Sequence, residues 1–324
     1  MNIKSVSDFK ENVLLAPLTT FKIGGPARYF AEVASESDLL SSFDVAKNMN
    51  LPVFVLGGGS NVLIADSGFS GLVVRNRTIG MEIIKEEQFG GQGVALRVFS
   101  GESLARLVSF ALQNSFSGLE WAAGIPGTVG GAVRGNAGAF GRSASDLILE
   151  VEAYDMSVGK KIVLSSQDCD FRYRQSIFKR DPNLIILSVK INLEVGDKKT
   201  IQSKMIENVK IRAKSEHGIK NSAGCFFKNI EWSGVDKEKL KNILPEIETV
   251  ENKYKLPAGF LIEKAGLSGK FEGNAKIHSG HCNYIINENS AKADDVKKLS
   301  DLCKKIVAEK YGIDLEPEVQ LVGF

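Results

Sequence analysis

Two glycine-rich runs constrain this chain more than any other feature of it. The first, Gly57-Gly58-Gly59-Ser60-Asn61, follows the apolar stretch Pro52-Val53-Phe54-Val55-Leu56. The second is Gly124-Ile125-Pro126-Gly127-Thr128-Val129-Gly130-Gly131-Ala132, continued by Gly135-Asn136-Ala137-Gly138. Backbone without Cβ atoms can turn tightly, and its N–H groups can surround an anion. One such run reads equally well as a tight turn or as a ligand loop. Two runs with interleaved Ser, Thr and Asn donors favour a diphosphate-containing cofactor. Neither run fits GxxxxGK[ST], which argues against a P-loop NTPase. Neither fits GxGxxG between a strand and a helix, which argues against a dinucleotide-binding Rossmann unit.

The chain has 324 residues, more than the ~250–300 that one hydrophobic core usually organises, so two or three domains are expected. Hydrophobic residues at 43% and charged residues at 25% describe a folded protein and exclude extensive disorder. The net charge is only +2, and no basic stripe is visible, so nucleic acid is not an expected partner. The opening MNIKSVSDFKENV lacks the apolar core of a signal peptide. No run of ~18 apolar residues suggests a membrane span. Cys169, Cys225, Cys282 and Cys303 are far apart and form no CxxC pair, so a cytoplasmic protein with reduced thiols is expected. Nothing in the chain marks an obligate protein partner.

No period of 20–50 residues repeats, which excludes solenoids and propellers. Residues 36–49 read as a helix behind a Ser-rich cap, followed by a short buried strand over 52–56. Strands are expected over 71–75 and 94–101, and a helix over 102–114 with Leu104, Leu107, Val108 and Ala111 on one face. Residues 149–164 read as a hairpin turning at Ser157-Val158-Gly159-Lys160, and 184–193 as a strongly apolar strand. The polar stretch 195–200 precedes a helix over 201–214. A last helix over 291–311 puts Val296, Leu299, Leu302, Cys303, Ile306 and Val307 on one stripe, which makes Cys303 a core residue. The mixture is α+β or α/β, not a bundle or a sandwich.

Seven segments then appear in one order: TTFKIGGPARYF (19–30), LGGGSNVLI (56–64), GIPGTVGGAVRGNAGAFG (124–141), FRYRQSIFK (171–179), NSAGCFFKN (221–229), LPAGFLIEKAGLSG (256–269) and LEPEVQLVG (315–323). Together they resemble the UDP-N-acetylenolpyruvoylglucosamine reductase (UDP-N-acetylmuramate dehydrogenase) family over nearly the whole chain. The resemblance implies an α+β protein: an N-terminal FAD-binding region of the vanillyl-alcohol-oxidase type, built of two α+β subdomains, and a C-terminal α+β substrate-binding domain. The divisions expected are 1–75 and 76–198 for the two subdomains and 199–324 for the substrate domain. The implied reaction is NADPH-dependent, FAD-mediated reduction of the enolpyruvyl ether of a UDP-sugar, giving UDP-N-acetylmuramate for peptidoglycan. No His or Cys lies in residues 1–168, so the FAD is expected to be noncovalent.

Hydride addition to an enolpyruvyl double bond leaves negative charge as an enolate, and the site must stabilise that charge and deliver one proton. Arg174, in Tyr173-Arg174-Gln175-Ser176, matches the family arginine that holds the enolate, and a guanidinium fork suits a carboxylate. Glu318 matches the family's catalytic Glu, with Glu316 as the competing candidate. Cys225 stands where the family often has the proton-donating Ser. A thiol, with a reference pKa near ~8.5, donates a proton more readily than a hydroxyl; the bland alternative is a buried small hydrophobe. The cofactor is expected at Gly57, Gly58, Gly59, Ser60, Asn61, Gly124, Pro126, Gly127, Thr128, Gly130, Gly131, Ala132, Asn136 and Gly138. The substrate is expected at Tyr173, Lys214, Asn229 and His281. His278, His281 and Cys282 are too few for a metal site. The short link after the 184–193 strand leaves no room there for a long lid, and the family subtype stays open. A flavin oxidase on the same cofactor fold would explain the glycine runs, but not Cys225, Arg174 and Glu318. A non-enzymatic nucleotide-binding module is the third reading.

Overall fold

The computed structural model describes residues 3–84, 93–215 and 219–324. They form two compact units. The first comprises residues 1–13, 27–58 and 70–214, and the second 14–26, 59–69 and 215–324. These units run along different lines from a division at 75 and 198. The helix Lys198–Ser215 belongs to the first unit up to Lys214, and two short N-terminal segments belong to the second.

The first unit has two cores. One lies under a sheet of strands Lys10–Leu14, Pro26–Val33, Phe69–Asn76 and Val53–Leu56, in that order. Its helix, Glu36–Asn48, starts where the Ser35 hydroxyl accepts the Asp38 amide (3.1 Å). Leu39, Phe43 and Ala46, spaced three and four apart, are the face it buries. The other core belongs to a larger sheet. Its central strand, Leu184–Val195, is antiparallel to Ile148–Asp155 on one side and Gly93–Phe99 on the other. The expected hairpin is there, with Gly159 at φ 74° in its turn and its amide on the Asp155 carbonyl (2.8 Å). The helix Leu104–Gln113 buries Leu104, Leu107, Val108 and Ala111, the expected face.

The glycine-rich second run, read from sequence as loop, contains a helix: Val129–Arg134. Thr128 caps it, and Val129, Ala132 and Val133 bury its inner face. Packing overrides the poor helix propensity of its two glycines. Only residues 196 and 197 separate the Leu184–Val195 strand from the next helix, so no lid lies there.

In the second unit the helix Ala293–Tyr311 runs along a core built around Phe226 and Phe227. The Asp66 carboxylate caps it, accepting the amides of Ala293 (2.9 Å) and Asp294 (3.1 Å). Gly312, left-handed at φ 66°, ends it. Cys303 is buried on this helix, as its stripe implies. The strand Gln320–Val322 pairs in parallel with Val62–Ile64, Gln320 opposite Val62. No helix among the described residues is long and apolar enough to cross a membrane.

Candidate active site

In the first unit the two glycine runs touch. A Cβ on Gly57 would meet the Thr128 hydroxyl oxygen at 2.5 Å, and one on Gly58 would meet the Gly127 Cα at 2.7 Å. Gly130 lies against Ser100, where a Cβ would come within 2.8 Å of the Ser100 Cβ, and its amide bonds the Ser100 carbonyl (2.8 Å). Gly58, Gly124 and Gly131 are exposed. The result is bare backbone presented by two loops in contact, an arrangement that fits a diphosphate cofactor and that any side chain would fill.

Several residues expected at the cofactor also bond the protein's own backbone. Asn136 is buried, and its side chain joins two loops: Nδ2 donates to the Arg172 carbonyl (3.0 Å) and Oδ1 accepts the Ser145 amide (3.0 Å). Thr128 caps the helix, accepting the Gly131 amide (3.4 Å). The Asn61 side chain donates to the Glu318 carbonyl (3.3 Å), and its own carbonyl accepts the Gln320 amide (3.1 Å).

Arg174 sits at the tip of a tight turn closed by Arg172 and Gln175, whose backbones bond each other in both directions at 3.1 Å. Arg174 is left-handed, φ 54°, a conformation unusual for a long side chain. Its guanidinium donates to the carbonyls of Gly138 (2.9 Å) and Asn136 (3.4 Å) and lies over the Tyr173 ring, 5.4 Å from its centre. The sequence brought Asn136, Gly138, Tyr173 and Arg174 forward separately, and the structure gathers them in one cluster. Lys214 is exposed in the last turn of its helix. Glu216 and His217, its neighbours in sequence, lie outside the described residues.

In the second unit Cys225 and Glu318 stand on adjacent segments. The Glu318 amide donates to the Phe226 carbonyl (2.8 Å), the Lys228 amide to the Glu316 carbonyl (2.9 Å), and Phe227 bridges Pro317. Glu316, the competing acid, has its carboxylate on the ammonium of buried Lys228. Val319 is buried while Glu318 is half-buried, the alternation expected of an extended segment. Cys225 bridges Tyr284. It is half-buried, whereas the other three cysteines are buried. Burial pushes the Cys169 and Cys303 thiols up to about 12, and raises Cys282 as well. Cys225 is thus the thiol with solvent access. His281 stacks edge-on against Tyr284, 4.7 Å between ring centres. The Asn229 side-chain carbonyl accepts the Ala258 amide (3.2 Å) at the start of the helix Ala258–Lys264. A polar cavity of about 500 Å³ lined by Lys22, Asp66, Asn221, Asn287 and Ser290 lies in this unit too, and neither Cys225 nor Glu318 is on its wall.

Residues 27–165 match the FAD binding domain, and residues 213–322 match the C-terminal domain of UDP-N-acetylenolpyruvoylglucosamine reductase. The chain is 35% identical over 310 residues to the reductase of that name from Synechococcus sp. (strain JA-3-3Ab), covering 95% of this chain and 89% of the relative. It is 33% identical over 322 residues to that of Clostridium novyi (strain NT), covering 99% and 94%. The chain belongs to the UDP-N-acetylenolpyruvoylglucosamine reductase family. A solved structure of this reductase from Thermus caldophilus superposes with a TM-score of 0.72 at 30% identity, covering 97% of this chain and 99% of that one. The fold is therefore the one the sequence implied, an FAD-binding region followed by the reductase's own C-terminal domain. The chain is an FAD-dependent oxidoreductase, and the family reaction is reduction of the enolpyruvyl ether of UDP-N-acetylglucosamine to UDP-N-acetylmuramate, a step of peptidoglycan synthesis.

Proposed function

We propose that this reductase takes its electrons from NADPH, and that Cys225, Arg174 and Glu318 carry the second half of the reaction. Bound noncovalently along the glycine runs, FAD would supply a two-electron relay from reductant to substrate. The protein's own work is then to hold the substrate carboxylate, stabilise the charge that develops on it, and deliver a proton. The Arg174 fork suits the carboxylate and the enolate that forms from it. The Cys225 thiol gives its proton to the carbon next to the carboxylate, which sets the lactyl stereocentre. Glu318 orients the enolate through a hydrogen bond, or shares the proton. Tyr173, Lys214, Asn229 and His281 are proposed substrate contacts, and 1–75, 76–198 and 199–324 the functional regions. Reductant and substrate using one pocket in turn would give ping-pong kinetics. We place the enzyme in the cytoplasm, acting without an obligate protein partner.

The observation that carries this reading is the hydrogen bond from the Glu318 amide to the Phe226 carbonyl, which supports a donor and an acid working side by side. The test is anaerobic mixing of the yellow protein with NADPH, then with UDP-N-acetylglucosamine enolpyruvate. Rapid bleaching followed by stoichiometric recovery of colour on adding substrate is expected. Recovery only with oxygen would favour a flavin oxidase.

A further inference from the structure

Cys225 can act as a stereospecific donor only if its backbone is held. The segment after it is held by one residue to an unusual degree. Asn283 is 2% exposed. Its Oδ1 accepts the Phe227 amide (2.9 Å) and its Nδ2 donates to the Phe227 carbonyl (2.8 Å). Its own carbonyl accepts the Phe226 amide (2.7 Å). One carboxamide thus meets both backbone groups of Phe227, as a neighbouring strand would. The opposite edge of the same segment receives the Glu318 amide on the Phe226 carbonyl. The main chain at Phe226 and Phe227, directly after Cys225, is therefore gripped between Asn283 and the Glu318 segment. Tyr284, next in sequence to Asn283, completes the grip by bridging Cys225.

We propose that Asn283 is a positioning residue that fixes the Cys225 thiol relative to Glu318 for proton delivery. The inference rests on the reading of Cys225 as the donor. Asn alone suits the place: Asp lacks the donor, an aliphatic side chain lacks both groups, and Gln is one methylene too long. Gly259 makes the room. It lies in the helix Ala258–Lys264, where a Cβ would come within 3.2 Å of the Asn283 nitrogen and 3.3 Å of its Cβ. A glycine is a poor helix former, so its presence there is explained by what it packs against. Removing the carboxamide leaves the buried Phe227 amide without its partner and lets the segment shift.

The test uses the FAD-loaded protein carrying Asn283→Ala or Asn283→Asp, each alone and combined with Cys225→Ala. A misplacement of about 1 Å can lower a rate ~100-fold, so Asn283→Ala should slow flavin reoxidation by the enolpyruvyl substrate ~10- to 100-fold. Reduction by NADPH should change far less. Asn283→Asp keeps the acceptor for the Phe227 amide and should fall between Ala and the parent; it also carries the test if the Ala variant does not fold. In the Cys225→Ala background, Asn283→Ala should add almost nothing, because the two act through one group. A readout independent of turnover is iodoacetamide labelling of Cys225, followed by peptide mass, which should change in rate in Asn283→Ala while the buried thiols stay protected. Reoxidation at the parental rate in Asn283→Ala, or the same fold-loss with and without Cys225, would overturn the clamp. Parental turnover of Cys225→Ala would instead remove the donor itself, so the two failures are distinguishable.

Discussion

Arg174 and Cys225 are held by opposite devices. Arg174 projects from a turn whose backbone is forced left-handed, and its guanidinium rests on two carbonyls that belong to the glycine-rich run. Cys225 leads into Phe226 and Phe227, which are not left-handed and whose backbone groups have partners on Asn283 and on the Glu318 segment. The first unit builds its part of the chemistry from close backbone approach and strain. The second builds its part from pairing. Adding atoms should therefore damage the first unit most, and deleting partners should damage the second.

After loss of Cys225 itself, the largest expected effects are on the proposed charge-bearing groups. Glu318→Gln and Arg174→Lys should each slow reoxidation by substrate ~100- to 1,000-fold, the usual loss for a group that meets developing charge. Stopped-flow traces should show flavin reduction by NADPH near the parental rate. Equal slowing of both halves would remove the assignment. Next is the close approach of the two glycine runs. Gly58→Ala would place a methyl 2.7 Å from the Gly127 Cα. Overpacking of that kind costs about 1–3 kcal/mol, so FAD affinity should weaken ~10- to 100-fold in a fluorescence titration. An unchanged affinity would mean that the loops yield freely and that their contact is not what shapes the cofactor site.

Asn136→Ala probes the strained turn more gently. It deletes both side-chain bonds that join the Arg172 and Ser145 loops and should lower stability by about 1–3 kcal/mol in urea melts. It also puts Ala at φ 41°, where Asn is better tolerated. A stability within about 0.5 kcal/mol of the parent would show that the turn holds itself. The smallest effect concerns the buried thiols. Burial pushes Cys169 and Cys303 up to about 12 from an ordinary 9.0. Below pH 9 both states keep these protons; above it the unfolded chain releases them first, so stability falls as pH rises from 9 toward 12. The loss is small at pH 9 and grows as pH rises further. Cys303→Ala should flatten this alkaline slope, though its cavity lowers stability at every pH. An unchanged slope would mean that Cys303 titrates normally.

The fold was legible wherever a signal is local. The helix Glu36–Asn48 announced itself by its Ser35 cap and its apolar spacing, and the hairpin at Gly159 by its turn. The helix Val129–Arg134 did not, because glycines lower its intrinsic propensity and only burial of Val129, Ala132 and Val133 makes it stable. The parallel pair of Val62–Ile64 with Gln320–Val322 was equally invisible: its partners are distant in sequence and three residues long. For the site, residue identity in the motifs pointed to Cys225, Arg174 and Glu318, but which polar residues serve the protein's own backbone did not show. Asn136 is expected at the cofactor from its motif, and its amide also joins two loops. Asn283 lies one residue beyond Cys282, and no motif singles it out. Its role depends on a backbone 56 residues away, which no local pattern reveals.

The account turns on Cys225 as proton donor, and one comparison of three proteins reaches that claim directly: the parent, Cys225→Ser and Cys225→Ala, each reduced with NADPH and mixed with enolpyruvyl substrate in deuterated water. Loss of a general acid is generally worth ~100- to 10,000-fold. Cys225→Ser should retain substantial reoxidation, and Cys225→Ala should lose reoxidation within that range or beyond it while still binding FAD and being reduced normally. Because hydride addition stays reversible when protonation fails, the Ala variant should also carry solvent deuterium into an unlabelled enolpyruvyl methylene faster than it forms product. Parental reoxidation by Cys225→Ala, with product of unchanged stereochemistry, would contradict the account and leave Cys225 as packing.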